Sequence, residues 1–295
     1  MEIIVGKSAG FCYGVKRAVE NCEKEIKIAN GKKVYCLGEL VHNKQVIQKL
    51  ENEGVLFIED INSIEQPHVK LIIRAHGVPK STYDIAKQKE IILEDFTCPN
   101  VLKIQRIADR YQKEGYYIFL TGSQNHPEVQ GIISHCGEKY CIIENQEDLN
   151  VALNKLEKSN CNKLVLISQT TYSLERFRLI QEMLKENLKN DIELKVENTI
   201  CLATEVRQKD TFELSKKVNK MIIIGGKNSS NTKKLFEIAS ENCKDTIGIE
   251  TYVELENIDI NKNDVIGIMA GASTPQSSID DVVKYLEMNN ELITK

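Results

Sequence analysis

Three of the nine cysteines in this 295-residue chain, Cys12, Cys98 and Cys201, share a local setting that the other six lack. Each follows a short run with strand character and precedes a run with apolar residues at helical spacing. For Cys12 the runs are 2–5 and 15–29, for Cys98 they are 91–93 and 101–112, and for Cys201 they are 194–196 and 205–218. No CxxC pair occurs, and Cys136 and Cys141, the most closely spaced, have no matching second pair, so any metal site has to be assembled from distant segments. Three converging thiolates suit a cubane iron-sulfur cluster, whose usual protein complement is four cysteines. With the fourth missing, one iron keeps an open position and acts on a substrate oxygen as a Lewis acid as well as passing electrons. Zinc with three cysteines and a water satisfies the same ligand types. Taken singly, a cysteine at a strand end is an ordinary small buried residue; the threefold recurrence weighs against that reading.

The elements that must position these thiols recur as well. After each helical run comes an apolar strand and a polar loop that opens at glycine: Gly38-Glu39-Leu40-Val41-His42, Gly122-Ser123-Gln124-Asn125-His126 and Gly226-Lys227-Asn228-Ser229-Ser230. A later strand in each unit ends in a second polar tip: Arg74-Ala75-His76, Ser168-Gln169-Thr170 and Gly271-Ala272-Ser273. The repeat divides the chain into units 1–96, 97–196 and 197–295, carrying Cys12, Cys98 and Cys201 in turn. Alternating short strands and amphipathic helices predict an α/β protein with mainly parallel sheets, whose ligands gather beyond the carboxyl ends of the strands. Three such units with pseudo-threefold symmetry would direct three cysteines and six polar tips at one centre.

The tips themselves suit an anion, since backbone N–H groups at helix starts bind phosphate without a lysine cluster. Ser229, Ser230 and Asn231 fit that role, and their residue types also favour capping a helix. His42, His76 and His126 fall at the tips, whereas His68 and His135 read as structural or surface residues. Glu128 is the only carboxylate immediately after a tip and could supply a proton. A closed pocket would raise its pKa and a cationic histidine would lower it, while a glutamate at this place also complements a helix dipole.

Composition narrows the rest. With 41% hydrophobic and 28% charged residues the chain is an ordinary globular one, and its net charge of −4 with no basic block argues against a nucleic-acid partner. Its longest apolar runs, such as Met221-Ile222-Ile223-Ile224, are strand-sized, which argues against a membrane span. The start lacks the basic-then-apolar pattern of a signal peptide, so a cytoplasmic location is expected, where cysteines serve as thiols or metal ligands. Neither a GxGxxG nor a Walker-type lysine loop occurs, so electrons are expected from an external carrier.

Ordered motifs along nearly the whole chain carry a resemblance to a known family. They are Gly-Phe-Cys-Tyr-Gly-Val at 10–15, Val-His-Asn at 41–43, Ala-His-Gly-Val at 75–78, Thr-Cys-Pro at 97–99, His-Pro-Glu-Val at 126–129 and Gln-Thr-Thr at 169–171. Ile200-Cys201 with Ala203-Thr204 and Arg207-Gln208, Lys-Asn-Ser-Ser-Asn at 227–231 and Gly-Ala-Ser at 271–273 complete the set. The chain resembles the 4-hydroxy-3-methylbut-2-enyl diphosphate reductase family of the non-mevalonate isoprenoid pathway. That resemblance implies a [4Fe-4S] cluster on Cys12, Cys98 and Cys201, met by the allylic alcohol of a diphosphate substrate, with ferredoxin or flavodoxin as electron donor. It further implies that Glu128 heads proton delivery, that His126 and Thr170 place substrate and protons, and that His42, His76, Ser229, Ser230, Asn231 and Ser273 hold the diphosphate. The products would be isopentenyl and dimethylallyl diphosphate.

Two positions depart from the family pattern: Tyr13, where small residues are common, and Phe96, where alanine is familiar. Neither changes a ligand type, and Tyr13 bears on packing beside the cluster. Two other readings use the same cysteines. One is an iron-sulfur dehydratase of the quinolinate synthase kind, which needs a dicarboxylate and no electron donor. The other is a non-catalytic iron-sulfur sensor, for which no basic DNA-binding segment is present.

Overall fold

The structure is a computed structural model that describes residues 1–256 and 258–293. Strands and helices alternate throughout. β1 (Glu2–Val5) leads to α1 (Tyr13–Ala29), β2 (Val34–Leu37), α2 (Lys44–Asn52), β3 (Val55–Ile58), β4 (Lys70–Ile73), α3 (Lys80–Gln88) and β5 (Ile92–Asp95). Then come α4 (Pro99–Lys113), β6 (Tyr117–Thr121), α5 (Pro127–Ile133), β7 (Tyr140–Ile143), α6 (Gln146–Lys158), β8 (Lys163–Ser168), α7 (Leu174–Asn187) and β9 (Glu193–Val196). The last stretch runs α8 (Leu202–Ser215), β10 (Lys220–Ile224), α9 (Ser230–Asn242), β11 (Thr246–Ile249), β12 (Val265–Ala270) and α10 (Gln276–Ile293).

The strands form three four-stranded parallel sheets in the orders β3-β2-β4-β5, β7-β6-β8-β9 and β11-β10-β12-β1. The expected α/β architecture with three parallel sheets is therefore present. Written this way, the three orders are the same: the strand that precedes each cysteine lies at a sheet edge, β5 beside β4, β9 beside β8 and β1 beside β12. One detail differs from the sequence reading, which placed strand 2–5 in the first unit. It pairs with β12 instead, Val5 opposite Ile268, so the first strand of the chain completes the last sheet. Local periodicity identifies a strand but carries no information about which distant strand it joins.

The chain divides into two compact units. Unit 1 comprises Met1–Lys16, Val41–Lys49 and the described residues from Leu202 onward, and contains the sheet β11-β10-β12-β1. Unit 2 comprises Arg17–Leu40 and Leu50–Cys201, and contains the other two sheets.

Central strands are apolar on both faces because helices cover both faces. In unit 2, Ile118 and Leu120 of β6 pack with Ile104 and Ala108 of α4 and with Val129 and Ile132 of α5, while Phe119 points the other way, toward α6 and α7. In unit 1, Ile222 and Ile224 meet Ile279, Val282 and Leu286 of α10, whereas Met221 and Ile223 meet Leu235 and Ala239 of α9. Burying each such side chain contributes about 1.5–3 kcal/mol, which fixes the strands and leaves their carboxyl-end loops to carry chemistry. Among the described residues, no helix is long and apolar enough to cross a membrane.

Candidate functional site

The three cysteines share one backbone device. The N–H of Cys12 donates to the carbonyl of Ala272 (3.1 Å), that of Cys98 to Ala75 (2.9 Å) and that of Cys201 to Thr170 (3.0 Å). Each acceptor lies in a second polar tip, so every sheet ties its cysteine loop to the equivalent loop end. The helix that follows begins one residue later, at Tyr13, Pro99 or Leu202. Gly10, two residues before Cys12, adopts a left-handed φ of 96° that a side chain would oppose.

Exposure and thiol bonding separate these cysteines from the rest. Cys22, Cys36, Cys136, Cys141 and Cys243 are buried, and burial pushes the thiols of Cys22 and Cys136 up to about 12 and that of Cys36 higher still, leaving them unreactive. Cys161 is partly exposed like Cys12, Cys98 and Cys201, but its thiol donates to the carbonyls of Gly115 and Lys163, both at 3.3 Å. By contrast, the sulfur of Cys201 accepts a hydrogen bond from Asn100 Nδ2 (3.0 Å). An N–H donor of this kind suits a sulfur that serves as a ligand.

Unit 2 gathers the residues expected to handle protons. Glu128, in the first turn of α5, is only 2% exposed. Its Oε1 accepts the Thr170 N–H (2.6 Å) and its Oε2 lies 2.7 Å from Thr170 Oγ1. Burial raises its pKa to about 7, partly opposed by the two bonds from Thr170. Because a backbone N–H can only donate, the proton of neutral Glu128 belongs on Oε2, where it is shared with the threonine hydroxyl. His126 caps α5: its Nδ1 accepts the Glu128 N–H at 3.1 Å, so in the neutral ring the proton is on Nε2. The His126 ring meets His76 edge-on, centroids 5.4 Å apart.

Unit 1 gathers the residues expected to bind an anion. Ser229 caps α9, its Oγ accepting the Thr232 N–H (3.3 Å), and Ser230 and Asn231 form the first turn. The helix N-terminus places a partial positive charge there. Asn231 is 3% exposed, yet neither its amide nitrogen nor its oxygen has a hydrogen-bond partner among the described residues. A buried amide left bare costs about 1–3 kcal/mol, which fits a residue that awaits a polar ligand. Ser273 Oγ donates to the carbonyl of His42 (2.9 Å). Gly226 approaches that same carbonyl so closely that a Cβ would lie 2.6 Å from it. The tips at 42, 226–231 and 271–273 are thus packed together within this unit.

Several supporting residues escaped the sequence reading. Glu250, after β11, accepts the Lys227 N–H (2.9 Å) and pairs with Lys44 (3.2 Å), bracing the loop before Ser229. Asn43, already singled out as the end of the Val-His-Asn motif, caps α2 through the Val46 N–H (3.1 Å). Arg207, known only as part of a motif, is buried and donates to the carbonyls of Ser8 (3.0 Å), Gly10 (2.9 Å) and Ala203 (3.2 Å), holding the loop that leads to Cys12. Asp210 completes that clasp by accepting Ser8 N–H and Oγ–H, each at 2.8 Å. An arginine six residues beyond a cysteine, on the helix that the cysteine precedes, was a usable signal; Glu250 and Asp210 had none, because carboxylates at such positions are common.

The comparisons with known proteins agree with the motifs. The family model described as LytB protein matches residues 3–287. The 4-hydroxy-3-methylbut-2-enyl diphosphate reductase of Thermoanaerobacter sp. (strain X514) is 43% identical over 288 residues, spanning 97% of this chain and 96% of its own. The protein of the same name from Clostridioides difficile (strain 630) is 40% identical over 287 residues, 97% of this chain and 99% of its own. Among solved structures, (E)-4-hydroxy-3-methyl-but-2-enyl diphosphate reductase, described as the terminal enzyme of the non-mevalonate pathway, superposes with a TM-score of 0.70 at 37% identity, covering 98% of this chain and all of that one. The E-1-hydroxy-2-methyl-but-2-enyl-4-diphosphate reductase of Plasmodium falciparum gives 0.85 at 34% identity, over 96% and 87% of the two chains.

Proposed function

The chain belongs to the LytB family, and we propose that it is the oxidoreductase that removes the hydroxyl of 4-hydroxy-3-methylbut-2-enyl diphosphate. Two electrons and two protons enter, water leaves, and isopentenyl and dimethylallyl diphosphate result. The observation that carries this reading is the Glu128–Thr170 pair: a fully enclosed carboxyl with a pKa of about 7, held on both oxygens by a tip whose own carbonyl anchors Cys201.

Cys12, Cys98 and Cys201 are the residues we assign to a [4Fe-4S] cluster. Their partial exposure, their common backbone tether and the N–H donor on Cys201 fit that ligand role, and Cys161, with its thiol engaged, does not. When bound, such a cluster supplies the electrons and a Lewis-acid iron. Glu128 holds a proton on Oε2 near neutral pH and passes it through Thr170 Oγ1, whose hydroxyl can accept from the acid while donating onward. His126 Nε2–H is a second donor in the same unit. Ser229, Ser230, Asn231 and Ser273, with His42 and His76, bind and orient the diphosphate, a dianion or more that the α9 N-terminus favours. Ferredoxin or flavodoxin is the electron donor we assign, and a cytoplasmic location follows from the same reading.

Anaerobic purification with iron and sulfide counting, followed by addition of the substrate to a dithionite-reduced mediator dye, tests this directly. About four irons per chain and dye oxidation that depends on substrate are expected. A cluster with no substrate-dependent oxidation would shift the assignment to a dehydratase or a sensor.

A further inference from the structure

Each helix that follows a cysteine reaches the approach to another cysteine. Arg17 of α1, after Cys12, donates from Nη2 to the carbonyl of Thr97, the residue before Cys98 (3.1 Å). Arg207 of α8, after Cys201, donates to Gly10, two residues before Cys12. Both contacts end on backbone carbonyls. The contact made from α4, after Cys98, is of another kind: Asn100 Nδ2 bonds the Cys201 sulfur itself. The sulfur of Cys201 thus receives an amide donor from the helix that follows Cys98, within a backbone arrangement that repeats at all three cysteines.

Resting on the cluster reading above, we propose that Asn100 is a positioning residue that tunes the reduction potential of the cluster through the sulfur of Cys201. A hydrogen bond to a ligating sulfur withdraws electron density and favours the reduced, more negative cluster, as does any neighbouring positive dipole. Asn100 is suited to this. It sits in the first turn of a 15-residue helix, with its side chain exposed rather than buried in a core, so it contributes little to folding that its replacement would disturb. Its placement two residues after Cys98 links two ligand loops of unit 2 by one amide. The type of residue at this position then sets how readily an external carrier reduces the centre, separately from how substrate binds.

The test compares the anaerobically loaded wild-type chain with Asn100→Leu and Asn100→Asp by iron counting and by a dithionite titration followed by electron paramagnetic resonance. Equal iron content in all three is expected, with the midpoint potential shifted to more negative values in Asn100→Leu. Asn100→Asp, which removes the N–H and adds negative charge, is expected to shift further in the same direction, and Asn100→Gln, which keeps the amide, to return part of the way. Equal potentials in iron-loaded wild type, Leu and Asp variants would overturn the role of Asn100 and leave the function standing. A wild-type chain that cannot be loaded with iron would overturn both.

Discussion

The loop after β6 and the loop after β10 occupy the same place in their sheets, yet one ends in His126-Pro127-Glu128 and the other in Ser229-Ser230-Asn231. Both present a buried polar side chain in the first turn of the next helix. In unit 2 that side chain is an acid, satisfied by Thr170 of the second tip and kept near half-protonation at neutral pH by burial. In unit 1 it is a neutral amide, and the second tip does not satisfy it; Ser273 bonds the His42 carbonyl instead. One backbone design is thus used twice with opposite outcomes: a carboxyl whose hydrogen bonds are complete within the protein, and an amide without a partner among the described residues. The difference lies in a few side chains on a common frame, and the proposed function assigns proton delivery to the first and diphosphate binding to the second.

The largest break in this picture is expected from the cysteines, whose backbone N–H groups are anchored by the second tips. Cys98→Ser should lose nearly all its iron and its turnover while keeping the circular dichroism of the parent; a full iron complement would remove Cys98 from the ligand set.

Glu128→Gln comes next. A positioned general acid contributes roughly 10²–10⁴-fold, and turnover should fall within that range with iron content unchanged. In the wild type, kcat/KM should decline as pH rises through about 7, where Glu128 gives up its proton, and that limb should vanish in the variant. The same shift has a sign in stability. Folding raises the pKa from 4.5 to about 7, so the folded chain holds this proton more tightly than the unfolded chain. The resulting stabilisation is fully present below pH 4.5 and is lost as pH rises to about 7, on the order of 3 kcal/mol in all. Urea unfolding of wild type against Glu128→Gln across that window should show the wild type losing ground; parallel curves would contradict the burial account.

Smaller effects are expected on the unit 1 side. Gly226→Ala puts a methyl 2.6 Å from the His42 carbonyl and should cost about 1–3 kcal/mol, together with weaker diphosphate binding. Ser273→Ala, which deletes one bond to that carbonyl, should cost about 1 kcal/mol in thermal or urea unfolding.

Much of this is legible in the sequence. The alternation of strand and helix runs announced parallel sheets, and the coincidence of cysteine, first tip and second tip in three places marked the loops that the structure ties together through Ala272, Ala75 and Thr170. What escaped was of two kinds. The partner of β1 depends on register between residues 2–5 and 265–268, and a four-residue strand carries no mark of its neighbour. The clasps made by Arg207, Asp210 and Glu250, and the amide of Asn100 on Cys201, join residues distant in sequence through side-chain reach, which local pattern cannot express. The acid was visible as a residue type, but its pKa required the enclosure that only the fold reveals.

The most direct measurement is a substrate titration of the anaerobic, iron-loaded enzyme with Asn231→Ala and Glu128→Gln side by side. Asn231→Ala is expected to raise the half-saturating diphosphate concentration about 10- to 100-fold, the worth of a hydrogen bond to a charged group, and to leave the maximal rate intact, while Glu128→Gln lowers the rate at an unchanged half-saturation. Loss of maximal rate in Asn231→Ala at unchanged half-saturation, or full rate in Glu128→Gln, would contradict the division of labour between the two tips.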